Sequence, residues 1–442
     1  MAGAVPVQRD PWFDPWLVPV GASLISLADN LQDVLEGRER RKRARKPDDQ
    51  RRFTASVRAV VANLAAMALE PSKGGALAIP LANLMMPGAA RYGNPETPVK
   101  TLKAVVLACA DAGLLVLTPG YRSRTTTIRA TDVLIAEMQS RRVAMADVGR
   151  DGDDVEEVII LTRKRREELP GGMGASPRVF SERIGYLDTP DTHKMRDDVR
   201  AVNAWLAAVN VAMADEGDPH PHIDTDQRRL RRYFALLPGG DAVTPMFNLG
   251  GRLFGGFWQS LERHERRSSL RINGEPIAEV DFNALFLRLA YAQLGADLPG
   301  DPDADPYDIV GFPPGHRGAL KMALNALFFA DGVLKRLPPD IAKVMPRGWT
   351  ARRVRGAILK VHPALSRVFG QRSGFGFMFT ESEILMMSLK RMREADLTAL
   401  PLHDAVLVPQ SRGEEAKAIM QDVGMAVAGV FLPVSLKVGP GD

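Results

Sequence analysis

Two apolar runs meet at one histidine–aspartate pair in LPLHDAVLVPQ (400–410), and this stretch constrains the fold more than any other. It reads as two buried strands joined by a tight hairpin, with Asp404 at the tip. A carboxylate between hydrophobic walls is poorly solvated and needs a counter-charge. An aspartate bonded to its own turn is the ordinary alternative, and the stretch alone does not choose between them.

A second acid has a comparable setting. EPIAEVDFNALFLRLAYAQLG (275–295) reads as a strand ending near Asp281 and passing at once into a helix. A carboxylate at a strand end facing a cleft is a natural Mg²⁺ ligand, whereas an aspartate before a helix usually caps it. Between the two acids, HRGALKMALNALFFADG (316–332) spaces Arg317, Lys321, Asn325 and Phe329 by four, a stripe drifting slowly around one helix. Two cations one turn apart and an aromatic two turns on suit a triphosphate and then a base. The same spacing also describes a helix with two solvated cations and an apolar core face.

At 442 residues, 45% hydrophobic and 25% charged, the chain has room for two or three globular domains. Net charge is only +5, but basic residues cluster at 38–46 and 228–232. Such runs either neutralise phosphates or form solvated faces. The single cysteine, Cys109, leaves no intrachain disulfide framework or Cys-based zinc site and fits a reducing compartment. Asp10, Asp14 and several prolines interrupt the N-terminus, so no signal peptide is read there. No run of ~18 consecutive apolar residues is present. A soluble cytoplasmic protein without membrane contact is the expectation.

Five segments are expected. Residues 1–52 read as a basic arm that orders only on a partner. Residues 53–142 read as three helices (57–69, 77–86 and 102–113) and then a hairpin carrying Arg122 and Arg124. This resembles a winged helix, a module that contacts DNA through its third helix and hairpin, or a protein partner. Residues 143–194 read as a linker and connecting segment, 195–248 as a thumb-like helical region, and 249–442 as the catalytic part. In DPHPHID (218–224), His220, His222 and Asp224 suit a surface turn better than a metal site, because Pro219 and Pro221 hold the segment extended.

Taken in order, four elements resemble the motifs of family A DNA polymerases, the bacterial polymerase I type, and more distantly the phage-type single-subunit RNA polymerases. The first is Gly251-Arg252-Leu253 followed by Gln259. The second is Asp281-Phe282 with Leu287 and Arg288, the third Arg317, Lys321 and Phe329, and the fourth His403-Asp404. The resemblance covers roughly 230–435 and lends nothing to the N-terminal half. It implies an α+β right-hand polymerase: a palm with an antiparallel sheet, short helical fingers and a helical thumb, beside the helical winged-helix-like domain. Three positions depart from the family pattern: Ala405 stands where an acid follows the motif aspartate, Asn325 replaces an aromatic, and Phe329 lacks the usual hydroxyl.

The resemblance also implies roles. Asp281 and Asp404, with the Phe282 carbonyl, would hold two Mg²⁺ ions for nucleotidyl transfer. Arg317 and Lys321 would bind the triphosphate of a dNTP, with Lys321 protonating the leaving group. Phe329 would stack near the templating base, and Asn325 would line the nucleotide site. Arg252, Gln259, His403 and Arg288 would contact a DNA primer–template. Phe286, five past Asp281, would clash with a ribose 2′-hydroxyl and favour deoxynucleotides; the alternative is a core phenylalanine. Residues 53–142 read as helical and acid-poor, so no 3′–5′ exonuclease is expected. The leading expectation is a DNA-templated DNA polymerase without proofreading, recruited to a site as in mobile-element replication. A single-subunit RNA polymerase or primase, and a non-catalytic DNA-binding replication initiator, stay open.

Overall fold

In the computed structural model the residues described are 11–39, 41, 43–69, 75–79, 81, 89–120, 125–152, 155–167, 178–214, 223, 225–300 and 305–439. Arg40, Lys42, Arg122, Arg124, His220, His222 and Asp224 lie outside them. The chain forms a mixed α and β structure and divides into two compact units. The first is Met1–Glu157 with Arg183–Gly185 and His220–Ile223; the second is the remainder.

In the first unit, β1 (Leu17–Pro19) leads into α1 (Ala22–Arg38), which buries Leu24, Leu27, Leu31 and Leu35, one stripe at helical spacing. Residues 22–38 were expected in an arm that orders only on a partner. Their four leucines find a core within the chain instead, because α2 (Pro47–Leu69) offers Val57, Val60, Val61 and Leu64. Proline at the first position and Asp48 and Asp49 in the first turn suit the start of α2. By length and composition α2 could cross a bilayer, but 61% of its most apolar window is buried, as in a core helix.

Then follow β2 (Leu77–Ala78), α3 (Ala89–Tyr92), α4 (Val99–Asp111), β3 (Leu115–Thr118) and β4 (Thr127–Ala130), the strands ordered β2-β4-β3. The helical reading of 77–86 is corrected at its start. Leu77 and Ala78 pair with Ile128 and Thr127, a long-range ladder that local apolar spacing does not reveal. Thr131 caps α5 (Asp132–Ser140) by accepting from Leu134 N. β5 (Val148–Arg150) then pairs antiparallel with β1. Cys109 is buried on α4, its thiol pushed up to about 12 by burial.

The second unit begins with β6 (Ile159–Glu167), at the apolar VIIL run (158–161) that reads as a short strand after the linker, and β7 (Arg178–Arg183) follows within the connecting segment. A Thr189–Thr192 capping box starts α6 (Pro190–Ala208). The helical expectation for 195–248 holds only to Ala208, where strands β8 (Val211–Met213) and β9 (Arg231–Ala235) take over. β10 (Gly250–Phe254) completes a sheet ordered β10-β9-β6-β7. Its register slips between Gly250 and Arg252. Gly251 sits at φ 93°, where a Cβ would lie 2.4 Å from Ser382 Oγ, so only glycine fits this bulge.

The main sheet follows. A short helix α7 (Arg263–Ser269) precedes β11 (Leu270–Ile272), and β12 (Glu275–Phe282) returns through Asn273-Gly274, both at positive φ, the favoured two-residue hairpin turn. Then come α8 (Leu285–Leu294), α9 (Arg317–Phe329), α10 (Pro339–Val344), α11 (Ala351–Val361) and α12 (Gly374–Glu394). Hairpin β13 (Leu400–Leu402) and β14 (Ala405–Pro409), helix α13 (Gly413–Ala428) and strand β15 (Val434–Val438) end the unit. The strands run β13-β14-β12-β11-β8, with β15 also paired to β12. β12 therefore lies between β14 and β15, and its alternating Ala278 and Val280 are fully buried.

Candidate active site

Pairing of β12 with β14 puts Asp281 directly opposite Ala405, the residue after Asp404, and Phe282 N–H donates to the Asp404 carbonyl at 3.4 Å. The two acids, far apart in sequence, thus neighbour each other at one end of the sheet. The hairpin turn holds His403 in the left-handed region, φ 59°. Asp281 does not cap α8: that helix starts after Ala284, itself at φ 52°, with no side-chain cap.

The environment of Asp281 is costly for charge. Burial pushes its carboxyl above the usual range, and the Asp404 carboxylate pushes it further; Lys437 and Lys321 pull the other way. Lys437 Nζ sits 2.9 Å from Asp281 Oδ2 and 3.9 Å from Glu279 Oε1. The β15 register explains this: Lys437 lies opposite Glu279 and Ser435 opposite Asp281, all on one face. Ser435 Oγ donates to the Asp281 carbonyl at 3.2 Å.

A cleft of about 990 Å³ opens on this face. Asp281, Phe282, Arg288, Arg317 and Lys321 line it, together with Glu279, Asp305, Tyr307, Arg263 and Lys437. Its wall thus carries five basic and three acidic side chains, a balance that favours an anionic ligand. Lys321, one turn along α9 from Arg317, makes no ion pair among the described residues. Arg317 does: its guanidinium grips both Asp305 carboxylate oxygens and lies 4.9 Å from the Tyr307 ring centre. Burial holds the Arg288 guanidinium below its usual range, and its Nε donates to the Asn283 carbonyl.

The other expected site residues sit elsewhere. Phe286 is buried among Phe329, Phe377 and the Arg252 guanidinium, with centroid distances of 6.0, 6.0 and 5.8 Å. Phe329 also meets Phe375 edge-on at 5.0 Å. Asn325 Oδ1 and His403 Nδ1 are buried without hydrogen-bond partners. Burial and the Arg252 charge lower His403, so its ring is neutral near pH 7.

Two expected primer–template contacts face inward. Gln259 spends its amide on the backbone, accepting from Gly255 N and donating to the Leu253 and Pro401 carbonyls. Arg252 holds Glu381 of α12 through Nε and Nη2 at 3.0 and 2.9 Å. Glu381 is 1% exposed, and burial pushes its carboxyl up to about 8, Arg252 acting against that. The 228–232 run is likewise used internally. Arg228 donates to the Leu206, Val209 and Val211 carbonyls, and buried Arg232 to Gly251, Ser382 and Glu383. In the 38–46 run, Arg45 stacks 3.6 Å over Phe53 and pairs with Glu39.

Glu279, Asp305, Tyr307, Glu381 and Lys437 escaped the sequence reading. Alternation in VSLKV could have flagged a strand with Ser435 and Lys437 on one face, though nothing in the sequence names its partner.

Mg²⁺ accepts a small oxygen donor set, completing its shell with water and substrate phosphates. Among the described residues no three His, Cys, Asp or Glu side chains converge on a metal position. The two neighbouring carboxylates and the Phe282 carbonyl are nonetheless hard oxygen donors, beside a polar cleft with cations facing it, and they suit such an ion. No protein-family model matches the chain, and no curated protein matches it either.

Proposed function

We infer that the second unit is a nucleotidyltransferase, a DNA-templated DNA polymerase without proofreading, similar in its palm and fingers to family A. The observation that carries this is the pairing of β12 with β14, which makes neighbours of Asp281 and Asp404 beside a cationic cleft containing Lys321. The first unit supports a nucleic-acid role in a second way. Among the described residues its order α2-β2-α3-α4-β3-β4, with sheet order β2-β4-β3, is compatible with a winged helix.

On this reading Asp281, Asp404 and the Phe282 carbonyl would hold two Mg²⁺ ions. Bound there, they would supply Lewis-acid activation of a primer 3′-hydroxyl and charge neutralisation on the leaving pyrophosphate. The chain's own residues do the rest. Lys321 Nζ binds the triphosphate and gives its proton to the pyrophosphate oxygen. Arg317 joins it after exchanging Asp305 for phosphate oxygens, a like-for-like bidentate swap. Phe286 and Phe329, packed on each other behind the cleft lining, are the residues that the family likeness would assign to the sugar and the base. Arg252 acts through Glu381 of α12 and Gln259 through the Gly255, Leu253 and Pro401 backbone it holds, and His403 offers a neutral ring at the hairpin tip.

A second reading, a non-catalytic replication initiator that keeps the fold, draws on internal neutralisation: Lys437 already balances Asp281, and Asp305 balances Arg317. One assay separates the two. The full chain with Mg²⁺ is given primed or unprimed DNA template and either dNTPs or NTPs. Extension of the primed template with dNTPs is expected; inertness under every condition would leave the initiator reading.

Phe286→Ala tests sugar selection. Removing the side chain is expected to raise ribonucleotide incorporation at least about tenfold relative to deoxynucleotides, and to cost about 3 kcal/mol of stability because the ring is buried. Competitive primer extension and thermal unfolding read the two effects. Unchanged selectivity in a folded variant would make Phe286 a core residue only.

A further inference from the structure

Among the described residues Lys437 is the cation that pairs with Asp281, and it comes from β15. Its Nζ lies 2.9 Å from Asp281 Oδ2 with Glu279 Oε1 at 3.9 Å, so one ammonium is poised between two carboxylates of the same strand face. The side chains are largely enclosed: 27% exposed for Lys437, 22% for Asp281 and 10% for Glu279. β15 is fixed in register against β12 over five residues, so the lysine cannot drift away with a loose tail. Glu279 is itself 3.5 Å from Arg267, so this face already balances its charge.

We propose that Lys437 is an intrinsic competitor for the divalent cation at Asp281, releasing that carboxylate by moving its ammonium to Glu279 when the ion arrives. The inference rests on the two-metal reading of Asp281 and Asp404. Physically, the ammonium supplies positive charge that two adjacent, largely enclosed carboxylates require. A divalent cation at Asp281 would meet it as a like charge at contact distance. Two consequences follow. Divalent affinity is set lower than the carboxylates alone would give, and Glu279 acts as a positioning residue that receives the displaced lysine.

The test is direct Mn²⁺ binding to the full chain, by electron paramagnetic resonance of the free ion, without substrate. Lys437→Met keeps the apolar stem and removes the charge; it is expected to bind Mn²⁺ about tenfold more tightly at the Asp281 site. Lys437→Arg keeps a charge on the same strand and is expected to stay within about twofold of the parent chain. Glu279→Gln removes the alternative partner and is expected to weaken binding about threefold or more. Asp281→Asn supplies the baseline of unrelated surface sites. Equal or weaker binding by Lys437→Met, while Asp281→Asn still loses its site, overturns the competition and leaves the two-metal reading standing. Parent-level binding by Asp281→Asn overturns both. Near-ultraviolet circular dichroism confirms that each variant is folded, and Lys437→Arg reports on charge even if Lys437→Met packs poorly.

Discussion

Exchanging Asp281 or Asp404 for asparagine is expected to lower primer extension by about 10³-fold or more, since on the proposed mechanism the loss of either metal-holding carboxylate would forfeit several kcal/mol of transition-state charge stabilisation. Neither exchange should unfold the chain. Asparagine fits the space of aspartate, and at Asp281 it removes a group that burial and the Asp404 charge already penalise. The lost partner is Lys437, 27% exposed and within reach of Glu279. Single-turnover extension with saturating Mg²⁺, beside thermal unfolding, checks both parts. A folded Asp404→Asn protein that extends primers at the parent rate would remove Asp404 from the chemistry.

The second large effect lies away from the cleft floor. Arg252→Ala is expected to destabilise the chain by about 1–3 kcal/mol near neutral pH, because it leaves the Glu381 carboxyl without its hydrogen-bond partner in a site that is 1% exposed. The loss should depend on pH in a definite direction. The Glu381 carboxyl stands at about 8 in the folded chain, against a usual value of 4.5. The folded state therefore holds a proton that the unfolded state gives up, and stability falls as pH rises from about 4.5 through about 8. Without the guanidinium, which pulls this carboxyl down, the window reaches higher and the deficit against the parent widens as pH rises. Urea unfolding at pH 5, 7 and 9 reads this out; a pH-independent deficit would place the cost in packing instead. Glu381→Gln should flatten the slope. The Arg317–Asp305 pair, 58% and 37% exposed, gives the contrast: breaking it should cost no more than about 1 kcal/mol.

What could be read from the sequence was local. Asp281 at a strand end before a helix, the hairpin around His403–Asp404 and the helix from Arg317 each announce themselves by period and turn chemistry. The structure has β12, the β13–β14 hairpin and α9 at those positions. What could not be read was pairing over distance. Nothing near Lys437 says that it meets Asp281, and nothing near Arg252 says that its guanidinium turns inward to Glu381. An exposed basic residue and an inward-turned one look alike in a single sequence, so Arg252 reads as a primer–template contact, and the 228–232 run as phosphate-binding or solvated, while Arg228, Arg232 and Arg252 all bond within the chain. The α1 leucines were misread for a related reason. Their stripe is short and flanked by basic residues, and only the neighbouring α2 turns it into a core.

The separation of the partners has a kinetic meaning. Lys437 and Asp281 are 156 residues apart, and Arg252 and Glu381 129. Contacts closed over such spans form late, after the entropy of large loops has been overcome. An incompletely synthesised chain, lacking β15, has the two aspartates but not the lysine beside them. A chain truncated before residue 434 would therefore keep both aspartates side by side without the ammonium that meets Asp281, a lasting imbalance of charge at that end of the sheet.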